Sequence, residues 1–399
     1  MSQDIRDFVS TSCELLALGE PTHLEPAFGR IRNELFSQLA GHGFRSIALE
    51  IDRVTALCVN DFVQGGAGTL DAVMREGFST GFGEVLANRQ LVAWMREYNE
   101  DRPAEERLAF HGIDAEMENT SAPSPRRYLE YARDYLALGP DRDRAVDLDL
   151  AGLAGEDERW SRAEAILDPA MSVGDTAEAE KLRVIADDML TSLHARAPEL
   201  IAATSHAEWF RAKTHLTAGL GLLRYHKQSA QRIDDSARIS GLLATRDVLM
   251  AQNLLDVRTI EARRGPTLAF ANNLHLQRNR STMRMGEWDL TWYSAGAIMG
   301  CLLDERYTVV LGSLGSSDVL GLREPAADTY EASLQSRITG WGLAAAGTVT
   351  AATTAPPAGP RTDTTPQQGY FPLDRASLAA ADAILHVSDG STAVQPFRP

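Results

Sequence analysis

Four runs in this chain are almost wholly apolar and then stop on an acid or an amide: ELLALGE (14–20), RSIALEID (45–52), RLAFHGID (107–114) and PTLAFAN (266–272). A strand with one face in water alternates apolar and polar residues. A run without that alternation is covered on both faces, the condition of a parallel sheet between layers of helix. The connecting segments fit. Phe28, Ile31, Leu35 and Leu39 fall three or four apart within 25–41, and Gly41 and Gly43 close that helix. LVAWMREYN (91–99) reads as another helix. Strand–helix–strand order predicts an α/β fold with a central, mainly parallel sheet flanked by helices.

From 125 to 262 the pattern changes. No strand is expected there, and helices are expected at 126–138, 158–167, 175–196, 206–225 and 236–262. Strands return at 307–314 (YTVVLGSL) and 383–387 (AILHV), and the Ala-, Thr- and Pro-rich stretch 346–369 reads as a long exposed loop. The chain therefore divides into 1–124, the N-terminal part of the core, 125–262, a helical segment expected to cap the substrate, and 263–399, the C-terminal part of the core.

Charge limits the partners. Lys and Arg number 39 against 55 Asp and Glu, a net −16. Phosphate backbones and anionic membranes select basic surfaces, so neither a nucleic acid nor a membrane is an expected partner. A small molecule is. No stretch is apolar for long enough to span a bilayer. The start, MSQDIRDFVSTS, lacks the basic and apolar regions of a signal peptide, so a cytoplasmic location is expected. Cys13, Cys58 and Cys301 are too scattered to build a disulfide framework. Oligomeric state leaves no signal.

In a parallel sheet the polar residues that end the strands share one edge, and ligands bind outside the carboxyl ends. Those residues are Glu20 and His23, Glu50 and Asp52, His111 and Asp114, and Asn272, Asn273 and His275. LLALGEPTHL and TLAFANNLHL even share a pattern: apolar strand, turn, His-Leu, with Glu20 and Asn272 each three residues before the histidine. Blander roles compete. His23 alone could be a hydrogen-bonded cap, Asp114 could cap a helix, His111 could be packing, and His206, His215 and His226 read as structural. Glu50 is harder to dismiss, because a carboxylate inside IALEID needs a cation or a proton. GxGxxG, GxxxxGK[ST] and GxSxG are all missing, which argues against phosphate loops and the common serine nucleophile. The remaining His, Glu, Asp, Arg and Asn suit general acid–base chemistry on water or a hydroxyl. No cofactor is expected. Glu20, His23 and His275 are chemically able to ligate a divalent ion, but no obligatory metal is expected.

LGEPTH followed by Arg32 and IALEIDR resembles the signature of the erythromycin esterase family. WMREYN (94–99), FHGIDAE (110–116), TRDVLMAQN (245–253), FANNLHLQR (270–278) and ADAILHV (381–387) extend the resemblance over most of the chain. It implies an α/β core with extra helices and hydrolysis of a macrolide lactone ester. It implies His23 as the base that activates water, with Glu20, Arg32 and Glu50 at the matching catalytic positions; His275 is expected beside them, to bind substrate or serve as acid. Asn272, Asn273, Asp52, Asp114 and Arg246 become candidate substrate contacts. The family pattern His-Asn-x-His stands here as Asn272-Asn273-Leu274-His275, and Asn carries no proton at neutral pH. The expectation is an esterase-like enzyme acting on an ester, lactone or hydroxyl-bearing metabolite in specialised metabolism, including antibiotic biosynthesis, by hydrolysis or a related acyl-transfer or cyclisation step. The alternative is a binding protein of the same fold that has lost turnover.

Overall fold

The structure, a computed structural model, describes residues 3–79, 81–115, 117, 121–138, 149–351 and 358–391. Among them run nine strands: β1 (Leu15–Glu20), β2 (Ser46–Asp52), β3 (Ala109–Asp114), β4 (Thr267–Asn272), β5 (Arg280–Met285), β6 (Trp288–Tyr293), β7 (Tyr307–Ser316), β8 (Trp341–Ala345) and β9 (Ala383–Asp389). Seven form one sheet in the order β3-β2-β4-β1-β7-β9-β8. Every pair in it is parallel except β8 with β9. The expected α/β fold is present.

Period-two alternation explains the layering. Leu16, Leu18, Ile47, Leu49, Leu268 and Phe270 join Phe28, Ile31 and Leu35 of the helix Pro26–Ala40 in one core. Their neighbours Leu15, Ala17, Ala48, Ala269 and Ala271 pack on the other face with Met250 and Leu254 of the helix Asp235–Glu261. Three of those sheet residues are alanines from β2 and β4, which lets the long helix lie close. A separate core joins the helices Arg126–Leu136, Ala177–Ala195 and His206–Ser229.

The two halves of the repeated pattern are neighbours. β1 and β4 pair in register, with Glu20 beside Asn272. Their following turns therefore deliver His23 and His275 to the same edge of the sheet.

Differences from expectation have local causes. The region expected as one helix at 158–167 is a single-turn helix Asp157–Arg159 followed by the short helix Glu164–Leu167. The stretch 346–369 opens with the helix Ala346–Ala351, and Arg361 is buried against the Leu314 and Gly315 carbonyls rather than exposed. Residues 352–357 of that stretch lie outside the described residues. Strand β8 and the β5–β6 hairpin were not anticipated. The alternation of Trp288, Leu290 and Trp292 after Gly286, whose φ is 61°, is the signal that marks the hairpin.

Asn273, expected to touch substrate, instead ties the sheet together. Its amide donates to the Gly312 carbonyl and accepts from the Gly312 N–H, both at 2.9 Å. That bridge crosses the end of β1 from β4 to β7, and Gly19 leaves room for it. A Cβ at Gly19 would stand 2.2 Å from the Asn273 Oδ1. Replacing Asn273 by Ala should leave both Gly312 groups buried and unpaired, costing about 2–3 kcal/mol. Urea unfolding should show the loss, with a similar loss for Gly19→Ala. An unchanged midpoint in both variants would remove the bridge from the account.

Candidate active site

The turn after β1 is built to hold one histidine. Pro21 has no N–H to extend the strand ladder, so β1 ends at Glu20. The Thr22 hydroxyl accepts from Leu24 N–H at 3.2 Å, and Glu25 caps the next helix by accepting from Ala27 N–H, with Pro26 at its first turn. His23 is left between strand and helix with 35% of its side chain exposed, enough for water to reach it. Its Nδ1 meets Glu20 Oε1 at 2.7 Å, and its Nε2 lies 3.6 Å from Glu50 Oε1. Phe82 packs edge-on against the ring, with centroids 5.4 Å apart.

Glu50 gathers three basic groups on one oxygen. Arg246 Nη2 lies 3.0 Å from Oε1, His275 Nε2 3.4 Å and His23 Nε2 3.6 Å. The other oxygen accepts the Asn272 backbone N–H at 2.7 Å. Burial alone would raise its pKa, but His275, His23 and Arg246 together hold it well below the usual carboxylate range. For His23 burial favours the neutral ring, yet Glu50 and Glu20 outweigh it and keep the imidazole well above its ordinary value. Burial is also the leading effect on His275, and there Asp247 and Glu50 prevail, so its pKa is raised. Glu20 is pushed up by burial despite His23.

These groups frame a cavity with about 40 Å³ of water-sized space. Glu20, His23, Arg32, Glu50, Phe82 and Asn88 are on its wall. Arg32 is nearly inaccessible, at 2% exposure, and stacks over Phe270 with 4.9 Å to the ring centroid. Three of its N–H groups go to the side-chain oxygens of Asn33 and Asn88. A guanidinium has five donors, so two remain without a protein partner among the described residues. Burial lowers its pKa to about 10.

Four of the five expected catalytic residues thus line the cavity: Glu20, His23, Arg32 and Glu50. His275 does not; it meets Glu50 from behind. None of the five expected substrate contacts lines it either. Arg246 grips Asp114 through two nitrogens, at 3.0 and 2.5 Å. Asp52 folds back on its own turn, with Oδ1 accepting from Val54 and Thr55 N–H. Its Oδ2 is buried without a partner among the described residues, and burial lifts the pKa to about 6. Asn272 caps the short helix Asn273–Leu276 by accepting from Leu274 N–H at 3.0 Å. Among the described residues, none that lines this cavity comes from 125–262; Arg246 and Asp247 of that segment reach Glu50 and His275 behind it.

Asp247, Phe82 and Asn88 were not anticipated. The blander readings fit the remaining histidines. His111 is buried between Glu261 and Arg53, His226 bonds the Pro123 carbonyl, and His215 stacks on Tyr131. Among the described residues no cluster of three or more His, Cys, Asp or Glu side chains is arranged to hold a metal ion. Among those residues, too, no helix is long and apolar enough to cross a membrane.

A model of the erythromycin esterase family matches residues 39–391. Three solved structures share the fold. A Bacillus cereus protein superposes with a TM-score of 0.71 at 15% identity, covering 96% of this chain and 90% of that one. A succinoglycan biosynthesis protein gives 0.67 at 16% identity, with coverage of 96% and 90%. A histidine-to-asparagine mutant of the erythromycin esterase EreC in its open conformation gives 0.66 at 19%, with coverage of 97% and 93%. No curated protein sequence matches significantly.

Removing Arg246 should expose how much the site depends on it. Arg246→Met leaves Asp114 and Glu50 facing each other without their shared cation. Breaking a buried pair in this way costs about 3–5 kcal/mol. Because the Glu50 pKa is depressed, its stabilisation is present above the unfolded carboxylate value and fades as pH falls through the folded one. The stability gap between Arg246→Met and the unaltered protein should therefore close in acid. A gap that is small at pH 7, or grows in acid, contradicts this role.

Proposed function

The chain belongs to the erythromycin esterase family, and we propose that it is a hydrolase in which His23 activates water against an ester or lactone carbonyl. The observation that carries this reading is the pairing of His23 Nδ1 with Glu20 at 2.7 Å, while its Nε2 side borders a cavity that also presents Arg32. Glu20 fixes the tautomer, so that Nε2 takes a proton from water. The resulting hydroxide adds to the carbonyl carbon, and charge builds on the carbonyl oxygen. The unfilled donors of Arg32 suit that oxyanion. Collapse breaks the C–O bond, and the proton held on Nε2 passes to the departing alcohol. The products are a carboxylic acid and an alcohol, and no covalent protein intermediate forms.

The cavity favours a small reacting group. Sites that enclose whole drug-sized ligands run to about 300–1,000 Å³, far more than the space beside His23. A large substrate would insert only its acyl group. We place the substrate among acyl-bearing or polyol metabolites of specialised biosynthesis. The Glu20–His23 pair weighs against a purely binding role, since a binder has no use for an oriented base.

His23→Ala should lower turnover of a small activated ester such as p-nitrophenyl acetate by about 10²–10⁴-fold. The raised pKa of His23 means that its free base accumulates only as pH climbs past the ordinary histidine value, so kcat/KM should rise on the alkaline side of neutrality. A profile that peaks in acid, or an Ala variant of full activity, would sink the general-base assignment. Chelation should leave activity intact, and loss of activity on stripping a stoichiometric metal would overturn the metal-free reading. Erythromycin itself should be hydrolysed weakly or not at all. Rates matching a competent resistance esterase would show that neither Asn272 nor the small cavity excludes the macrolide.

A further inference from the structure

Asp247 neighbours Arg246 on the helix Asp235–Glu261 but points elsewhere, because consecutive helical positions lie about 100° apart. It has no exposed surface. Its Oδ1 accepts from Ala295 N–H at 2.8 Å and faces His275 Nδ1 at 2.9 Å, and its Oδ2 accepts from Trp292 Nε1 at 2.6 Å. Amide and indole nitrogens can only donate, and a carboxylate can only accept, so His275 turns its Nδ1–H toward Asp247. Glu20 does the same for His23 on the other side. Each imidazole is thus held by a carboxylate at Nδ1, and both Nε2 atoms meet Glu50 Oε1, at 3.4 and 3.6 Å. Those distances put the two nitrogens within about 7 Å of each other, inside one Debye length.

We propose that Asp247 is a positioning residue that keeps His275 as an imidazolium and thereby lowers the proton affinity of His23 across Glu50. Two positive rings on one carboxylate oxygen oppose each other, so they titrate as a pair. The groups facing His275 are Asp247 and Arg246 from the long helix and Glu50 from β2. Those facing His23 are Glu20 from β1 and Glu50 from β2, with Arg32 from the helix Pro26–Ala40 acting on Glu20. Without His275 as a cation, His23 would sit between two carboxylates with only the arginines, Arg246 on Glu50 and Arg32 beside Glu20, to loosen its proton. With it, the base becomes available nearer neutrality. The inference rests on His23 being the base, but its direct test reads protonation rather than turnover.

The experiment follows the His23 imidazole by NMR titration of the full chain, unaltered and carrying Asp247→Asn or His275→Gln. Asn offers no charge to hold the His275 proton, and Gln removes the cation outright. In both variants the His23 midpoint should rise by on the order of one pH unit. The ascending limb of kcat/KM on p-nitrophenyl acetate should move to higher pH by a similar amount. Should Asp247→Asn fail to fold, His275→Gln carries the test. A His23 midpoint that stays put or falls in His275→Gln overturns the proposal, because a merely structural role for Asp247 would not move it. A shifted midpoint in a protein that hydrolyses no ester would support the coupling and count against the hydrolase reading alone.

Discussion

The site hangs on one oxygen atom. Glu50 Oε1 lies 3.0 Å from Arg246, 3.4 Å from His275 and 3.6 Å from His23. A carboxylate this buried is tolerable only with cations around it. The cations come from three separate stretches of chain: the turn after β1, the turn after β4 and the long helix across the sheet. Satisfying Glu50 therefore fixes where those three elements stand relative to β2. Arg246 carries the constraint further, to Asp114 at the end of β3.

The parallel sheet makes this convergence possible. β2, β4 and β1 are adjacent and point the same way, so their carboxyl ends supply Glu50, Asn272 and Glu20 along one edge. The alanines on the face beneath Met250 and Leu254 let the long helix come near enough for Arg246 and Asp247 to reach that edge. Asn253 on the same helix donates to the Ile113 carbonyl at 2.9 Å and pins it to β3. The proposed chemistry and the stability share these contacts, so a substitution in the network is expected to disturb both.

Much of this was legible in the sequence, and the reason is physical. An acid in an apolar run, as in IALEID, announces a buried charge, and Glu20 with His23 announces itself at the end of a continuous strand. Asp247 gave no such signal. In a helix an acid among mixed neighbours reads as a solvated face, and its partners His275, Trp292 and Ala295 lie in later elements. Asn273 and Asp52 sit at strand ends like true site residues, but the short reach of their side chains turns them back onto backbone. Nothing in the sequence distinguishes that outcome from a contact with substrate. Phe82 enters on the single-turn helix Phe82–Glu84 and Asn88 on the start of the helix Leu86–Asn99, placed by packing, and β8 is short and, among the described residues, pairs with β9 alone, which is far along the chain.

If Glu50 couples the two histidines by sharing an oxygen with both, their titration in the Glu50→Gln variant shows it. Gln keeps the shape and removes the charge. The His23 and His275 midpoints, followed together by NMR, should both fall relative to the unaltered protein. If only one of them moves, or neither does, Glu50 is a neighbour of the two histidines and not the link between them.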